Sequence, residues 1–206
     1  MTATLERVSA TSWPPRPDAA NGYTVADLHA LPDDGPRYEL IDGSLIGSPS
    51  ATGSHNLIAA WIYRELESCS PTKEWVVGFD QSASIDDRNE PRPDLVVFRT
   101  RYMTRSPFPI TSASLVAEVV SPHSGRRDKR TKRDLYAEAG VSAYWIIDPD
   151  EDKGVISLAE LRLDGKAYRD ETPSTSDVFE TTHPWPVRID LPGMSRRWQE
   201  YLDYAD

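Results

Sequence analysis

Two carboxylates sit where a carboxylate is hard to place. Asp94 opens PDLVVF and Glu118 interrupts SLVAEVV, both runs dominated by Leu, Val, Phe and Ala. An ionised group inside such a strand is costly unless a cation, a metal or hydrogen-bond donors compensate it. Side chains alternate along a strand, so Asp94, Val96 and Phe98 share one face, and Val116, Glu118 and Val120 share one face of theirs. If the two strands are neighbours, Asp94 and Glu118 converge at one edge of the sheet. Two carboxylate oxygens with a main-chain carbonyl, that of Val119, make a partial shell for Mg²⁺. This ion takes octahedral oxygen ligands and keeps water or substrate phosphate on its open positions. The structural alternative is a turn at Asp94 and a metal-free ion pair at Glu118.

Helical phase selects the cation. In DKRTKRDLYAEAG the apolar face, at about 100° per residue, is centred on Leu135, Tyr136 and Ala139. Lys132 lies near that centre, Arg127 and Arg130 point away, and Lys129 sits at the edge. A lysine on the buried face of a helix beside two buried carboxylates pairs with them or serves a reaction. Asp128, one turn earlier on the same face, is placed to orient it. The run Arg126, Arg127, Lys129, Arg130, Lys132, Arg133 is the strongest local charge feature. Such runs are usually solvated helix faces, but beside this site Arg126 and Arg127 are candidates for backbone-phosphate contact.

The remaining chemical groups are weaker. Glu39, inside YELIDG, adds a ligand or is an ordinary solvated hairpin glutamate. His55, in the first turn of the helix after Ser54, touches substrate phosphate or satisfies the helix start. Ser121 bonds the backbone rather than acting as a nucleophile, since no histidine–carboxylate relay accompanies it or His123. His29 and His183 have no partners at metal spacing, and Cys69 at a helix end reads as inert packing.

The elements that must position these groups alternate between helix and strand. Residues 1–21, with Pro14, Pro15 and Pro17 and no hydrophobic period, read as a flexible arm, and 22–206 as a single domain. TVADLHAL is a short helix capped by Thr24 and Asp27. RYELIDGSLIGS is a hairpin about Asp42-Gly43. SHNLIAAWIYRELESC, capped by Ser54, is an amphipathic helix, and WVVGF and QSASI are extended. RTRYMTRSPFPI is a loop because Pro107 and Pro109 oppose pairing. SLVAEVV, near-continuously apolar, is a central strand. The helix from about Asp128 to Ala139 ends at Gly140. AYWIID is a third buried strand, VISLAELRL and KAYRD form a hairpin, ETPSTSDVFE is weakly patterned, and PVRIDL precedes the final helix SRRWQEYLDY. Trp61, Trp145 and Trp198 belong to the core.

At 206 residues the chain suits one sizeable core, and no apolar run approaches the roughly 20 residues of a membrane span. One cysteine excludes an internal disulfide and a cysteine-rich zinc cluster. With no secretory signal, a cytoplasmic location is expected. The net charge of -10 argues against strong binding to bulk nucleic acid while leaving room for a local basic patch.

Proline-aspartate opening a strand, with a Glu-Val-Val strand following, resembles the PD-(D/E)XK, restriction-endonuclease-like nuclease superfamily. YELIDG, PRPDLVVF, AEVVSPHS, the Asp128/Lys132/Tyr136 spacing, AGVSAYWIIDP and LPG, in that order, are similar to the Uma-type bacterial restriction-endonuclease family. The likeness runs from about Tyr23 to the final helix. It implies an α/β fold: a restriction-endonuclease-like mixed sheet flanked by helices, with N-terminal and C-terminal hairpin additions. It implies Asp94 and Glu118 as ligands of Mg²⁺, with Mn²⁺ as a substitute, Glu39 as a further member of the site, DNA as the substrate and a homodimer as the working state. The superfamily lysine normally lies two residues after the glutamate, where this chain has Val120; Lys132, from the following helix, takes its place. The competing reading is a catalytically silent nuclease fold acting as a binding or assembly module.

Overall fold

A computed structural model describes residues 22–32, 35–47, 50–121 and 126–204, with residues 126–129 as backbone only. The proposed arm, His123 and the side chains of Arg126, Arg127, Asp128 and Lys129 lie outside the described residues. The first helix, α1 (Val25–His29), carries the expected capping box: Thr24 N–H donates to Asp27 Oδ2 (2.8 Å) and Asp27 N–H to Thr24 Oγ1 (3.3 Å). Strands β1 (Tyr38–Ile41) and β2 (Ser44–Gly47) pair around Asp42 and Gly43, whose φ angles of 47° and 68° are those of a tight hairpin turn.

The long helix α2 (Gly53–Ser68) starts two residues earlier than expected. Its cap is Thr52, whose hydroxyl accepts the His55 N–H (3.2 Å), and not Ser54. Then come β3 (Trp75–Phe79), β4 (Ala83–Ser84), β5 (Leu95–Arg99), β6 (Phe108–Pro109) and β7 (Ala113–Val119). The segment before β7 is not wholly a loop: β6 pairs in parallel with β4. The Phe108 N–H donates to the Ser82 carbonyl (3.0 Å), a bond that does not call on the missing donor of Pro109.

Helix α3 (Arg126–Glu138) carries the chain from β7 to β8 (Ala143–Asp150), which pairs with β7 in parallel. Strands β9 (Val155–Asp164) and β10 (Ala167–Thr175) form the expected hairpin. They extend the main sheet, absorbing part of the weakly patterned stretch; β11 (Phe179–Thr181), the rest of it, pairs with β12 (Val187–Ile189). Helix α4 (Leu191–Leu202) begins behind Asp190, which accepts the Gly193 N–H.

The sheet order is β10-β9-β8-β7-β5-β3, mixed, with β7 in the interior. Leu95, Val97, Leu115, Ala117, Trp145 and Ile147 pack on one side with α2 residues Ile58, Trp61, Ile62 and Leu66 and with Trp198 of α4. Val96, Phe98, Val116 and Tyr144 face the other way, packing with Tyr136 and Ala137 of α3. Burial on both faces explains the unbroken apolar character of β7. Cys69 is exposed at the end of α2 and packs nothing in the core. No helix among the described residues is long and apolar enough to cross a membrane.

The hairpin that carries Glu39 is held from below. Tyr23 N–H donates to the Gly43 carbonyl (2.8 Å), Gly43 N–H to that of Arg88 (3.0 Å), and Leu40 exchanges both main-chain bonds with Glu90. Gly22 makes the first of these possible. Its φ is +70°, and an added Cβ would lie 2.5 Å from the Gly43 oxygen. Gly22→Ala is therefore expected to destabilise the fold by about 1–2 kcal/mol, read as a lower urea midpoint with unchanged slope.

Candidate active site

Register brings the two carboxylates together. β5 and β7 are antiparallel neighbours with Leu95 opposite Ala117, and one step further the same register sets Asp94 opposite Glu118. Asp94 lies beyond the last paired residue of its strand, so its side chain turns to the strand end. There its Oδ2 accepts the Val119 N–H (2.7 Å). The Val119 main chain thus reaches the site through its N–H, with the carboxylate as its partner; its carbonyl was the group expected to serve a metal.

Glu118 is the one charged residue on the α3-facing side of β7, and α3 meets it with two groups. Lys132 Nζ lies 3.3 Å from Glu118 Oε1, and the Tyr136 hydroxyl donates to the same oxygen (2.9 Å). Lys132 and Tyr136 are one helical turn apart, which is why both reach one acceptor. The lysine is only 8% exposed, so the residue picked by helical phase is buried as that phase requires.

Glu39 completes the cluster. It is 5% exposed, which rules out the solvated alternative. Its Oε1 lies 3.1 Å from Lys132 Nζ, and its Oε2 accepts the main-chain N–H of Arg92 (3.1 Å). His55 enters from the start of α2, on the opposite side of the sheet from α3, and places Nε2 3.1 Å from Asp94 Oδ2. Its Nδ1 is buried and makes no hydrogen bond among the described residues. Four sequence-selected residues, Asp94, Glu118, Lys132 and Glu39, therefore form one contiguous cluster, with His55 attached through Asp94. The Tyr136 hydroxyl, the Val119 N–H and the Arg92 N–H were not anticipated. Tyr136 was accessible, since it lies four residues from Lys132 on the same face.

Charge in the cluster is unbalanced. Burial pushes the Glu118 carboxyl up to about 8; Lys132 and the Tyr136 hydroxyl pull it down, but Asp94 and Glu39 push it further up. Tyr136 is held well above the ordinary phenol range by burial and by Glu118, so it stays a hydroxyl donor. The hydrogen bond to Asp94 raises the His55 pKa against the opposing effect of burial, which favours the imidazolium. Glu39 and Glu118 share Lys132, and Asp94 pairs with His55, so three carboxyl groups face two basic groups.

A divalent cation suits this donor set. Asp94 accepts Val119 and His55 on Oδ2, and Glu118 accepts Tyr136 and Lys132 on Oε1, so Asp94 Oδ1 and Glu118 Oε2 are the oxygens that would be offered to a cation. Among the described residues no three His, Cys, Asp or Glu side chains converge as a complete metal cage. Two hard carboxylate oxygens with the remaining positions left to water and phosphate match Mg²⁺ or Mn²⁺ better than a metal needing an all-protein shell.

A mixed sheet that brings an aspartate and a glutamate together at one edge, with a lysine from the flanking helix, is a restriction-endonuclease-like nuclease fold. The chain belongs to the Uma2 family, described as "Putative restriction endonuclease", which it matches over residues 25–196. Among solved structures it is similar in fold to a crystal structure described as a putative nuclease belonging to DUF820 from Anabaena variabilis. That likeness has a TM-score of 0.58 at 18% identity and covers 77% of this chain and 88% of the other. No curated protein matches the chain.

Proposed function

We propose that the chain is a Mg²⁺-dependent endonuclease that hydrolyses DNA phosphodiester bonds, and that Mn²⁺ can replace Mg²⁺. The observation that carries this reading is the burial of Lys132 between Glu118 and Glu39, with Asp94 directly across the strand pair. A bound Mg²⁺ would lower the pKa of a water and take up charge on the phosphate. Asp94 and Glu118 would hold it.

The other groups act through their own atoms. Lys132, fixed by two carboxylates, orients the attacking water and faces the charge that develops on the phosphate. Glu39 keeps the ammonium in place and turns it toward Glu118. Tyr136 fixes the Glu118 carboxylate from the other side, and the Val119 N–H does the same for Asp94. His55, held by Asp94, contacts a phosphate oxygen. In-line attack of water on phosphorus then breaks the bond to O3′ and leaves a 5′-phosphate and a 3′-hydroxyl.

The same closed ion-pair cluster, with Lys132 satisfied by protein carboxylates, is what a catalytically silent binding module would also contain. Two measurements separate the readings. Calorimetric titration is expected to show Mg²⁺ or Mn²⁺ uptake by the wild type and none by Asp94→Asn. Plasmid DNA is expected to be nicked in Mg²⁺, untouched in EDTA, and untouched by Asp94→Asn. Metal-dependent cleavage by Asp94→Asn would overturn the site assignment; absence of uptake and cleavage in the wild type would favour the silent module.

A further inference from the structure

Among the described residues, two arginines flank the carboxylates on the β3–β5 side. Arg92, two residues before Asp94, donates Nε to Asp80 Oδ1 (3.1 Å) and Nη2 to the Asp80 carbonyl (2.9 Å). Arg37 Nη1 donates to Asp80 Oδ2 (3.0 Å). This cluster is tied into the site at two points: Asp80 N–H donates to the Asp94 carbonyl (3.1 Å), and Arg92 N–H donates to Glu39 Oε2 (3.1 Å). Asp80 holds a left-handed φ of 40°, a conformation that Asp tolerates better than most residues. One carboxylate thus gathers two guanidinium groups at the rim and leaves a net positive charge there.

Neither guanidinium is used up. Each has five N–H donors, and Asp80 engages only some of them. The Arg37 side chain is 70% exposed and that of Arg92 21%. The positive side continues outward, where Gln81 Nε2 donates to the Arg105 carbonyl (3.1 Å) and the Arg105 guanidinium lies over the Tyr102 ring.

The opposite side of the same sheet edge has the reverse sign. β7 and β8 run in parallel, so the end of β8 lies beside Glu118. Asp148, Asp150, Glu151 and Asp152 line a groove there together with Val120 and Lys153, whose ammonium pairs with Asp150, so the acidic groups still outnumber the basic one. A polyanion approaching Asp94 and Glu118 is repelled from the β8–β9 turn and attracted over β3 and β5.

Building on the nuclease reading, we propose that Arg37 and Arg92 grip backbone phosphates of the DNA duplex that flanks the scissile bond. Asp80 pre-orients the two forks, and the duplex runs over the β3–β5 side of the site. The planar guanidinium suits this task because it can keep a bond to Asp80 while presenting further donors to a phosphate. A chain with net charge -10 would thus engage DNA through a local patch beside the site, with the acidic turn setting direction.

The test is fluorescence anisotropy of a labelled duplex in EDTA across a salt series. Arg37→Gln and Arg92→Gln are each expected to weaken binding several-fold at about 0.1 M salt and to reduce the slope of log K against log salt by about one. Asp152→Asn, on the acidic side, is expected to bind no more weakly than wild type. In cleavage assays the arginine variants are expected to raise KM more than they lower kcat. An unchanged affinity and slope in Arg37→Gln, a surface change with little bearing on folding, would overturn the grip. So would weaker binding with an unchanged slope, or tighter arginine-dependent binding of duplex RNA than of DNA. Arginine-dependent binding without cleavage in Mg²⁺ would uphold the grip and refute the nuclease reading instead.

Discussion

Lys132→Met is expected to lower single-turnover cleavage by about 10²–10³-fold, the scale of losing one well-placed electrostatic group in an active site. The substitution keeps the length and apolar stem of the side chain, so packing on β7 survives. What it removes is the cation between Glu39 Oε1 (3.1 Å) and Glu118 Oε1 (3.3 Å). Removing one partner of a buried pair costs roughly 3–5 kcal/mol when the stranded charge stays ionised. Here Glu118, already raised to about 8, can take up a proton instead, so the loss should be well below that range at pH 6 and larger at pH 8. Thermal melts at the two pH values, without metal, check the sign. Mg²⁺ is expected to recover part of the stability but not the rate. Cleavage at the wild-type rate would remove Lys132 from the chemistry, and a stability loss independent of pH would mean that the carboxylates do not depend on it.

Local periodicity carried the reading of this site as far as periodicity reaches. Alternation placed Asp94 and Glu118 on compatible faces, and the β5–β7 register then set them opposite each other. Helical phase separated Lys132 from its basic neighbours because burial of a helix face is a local property. Long-range contacts were not legible. His55 meets Asp94 only because α2 crosses the other side of the sheet and begins there, a contact between residues 39 apart. Glu39 is buried because its hairpin docks on Glu90 and Arg88, through main-chain bonds that no pattern in YELIDG announces. The helix start fell on Thr52 rather than Ser54 because adjacent small polar residues compete for the same role. Pro109 misled for a related reason: a proline excludes pairing only where its own N–H is required.

The clearest conflict between stability and function should appear at Glu118. Its carboxyl is raised from 4.5 to about 8, chiefly by burial. The folded protein therefore holds a proton that the unfolded chain gives up from about pH 4.5 upward. The Glu118 contribution to metal-free stability is expected to be greatest at the low end of that window and to fall as pH rises through it, levelling off above about 8. Glu118→Gln replaces the carboxyl by a neutral group of the same shape whose oxygen still accepts the Tyr136 hydroxyl. At pH 6, where the wild type is largely protonated, the variant should melt close to it. At pH 8.5 it should be more stable than the metal-free wild type by up to about 5 kcal/mol, roughly 1.4 kcal/mol for each pH unit over which the folded wild type keeps a proton that the unfolded chain has lost. The same variant should neither take up Mg²⁺ nor cleave, so adding Mg²⁺ should raise the Tm of the wild type and leave that of the variant unchanged. A Glu118→Gln protein less stable than wild type at pH 8.5 would show that Lys132 and Tyr136 already balance the buried charge. In that case the cluster would need no metal, and the case for a cation between Asp94 and Glu118 would lose its electrostatic basis.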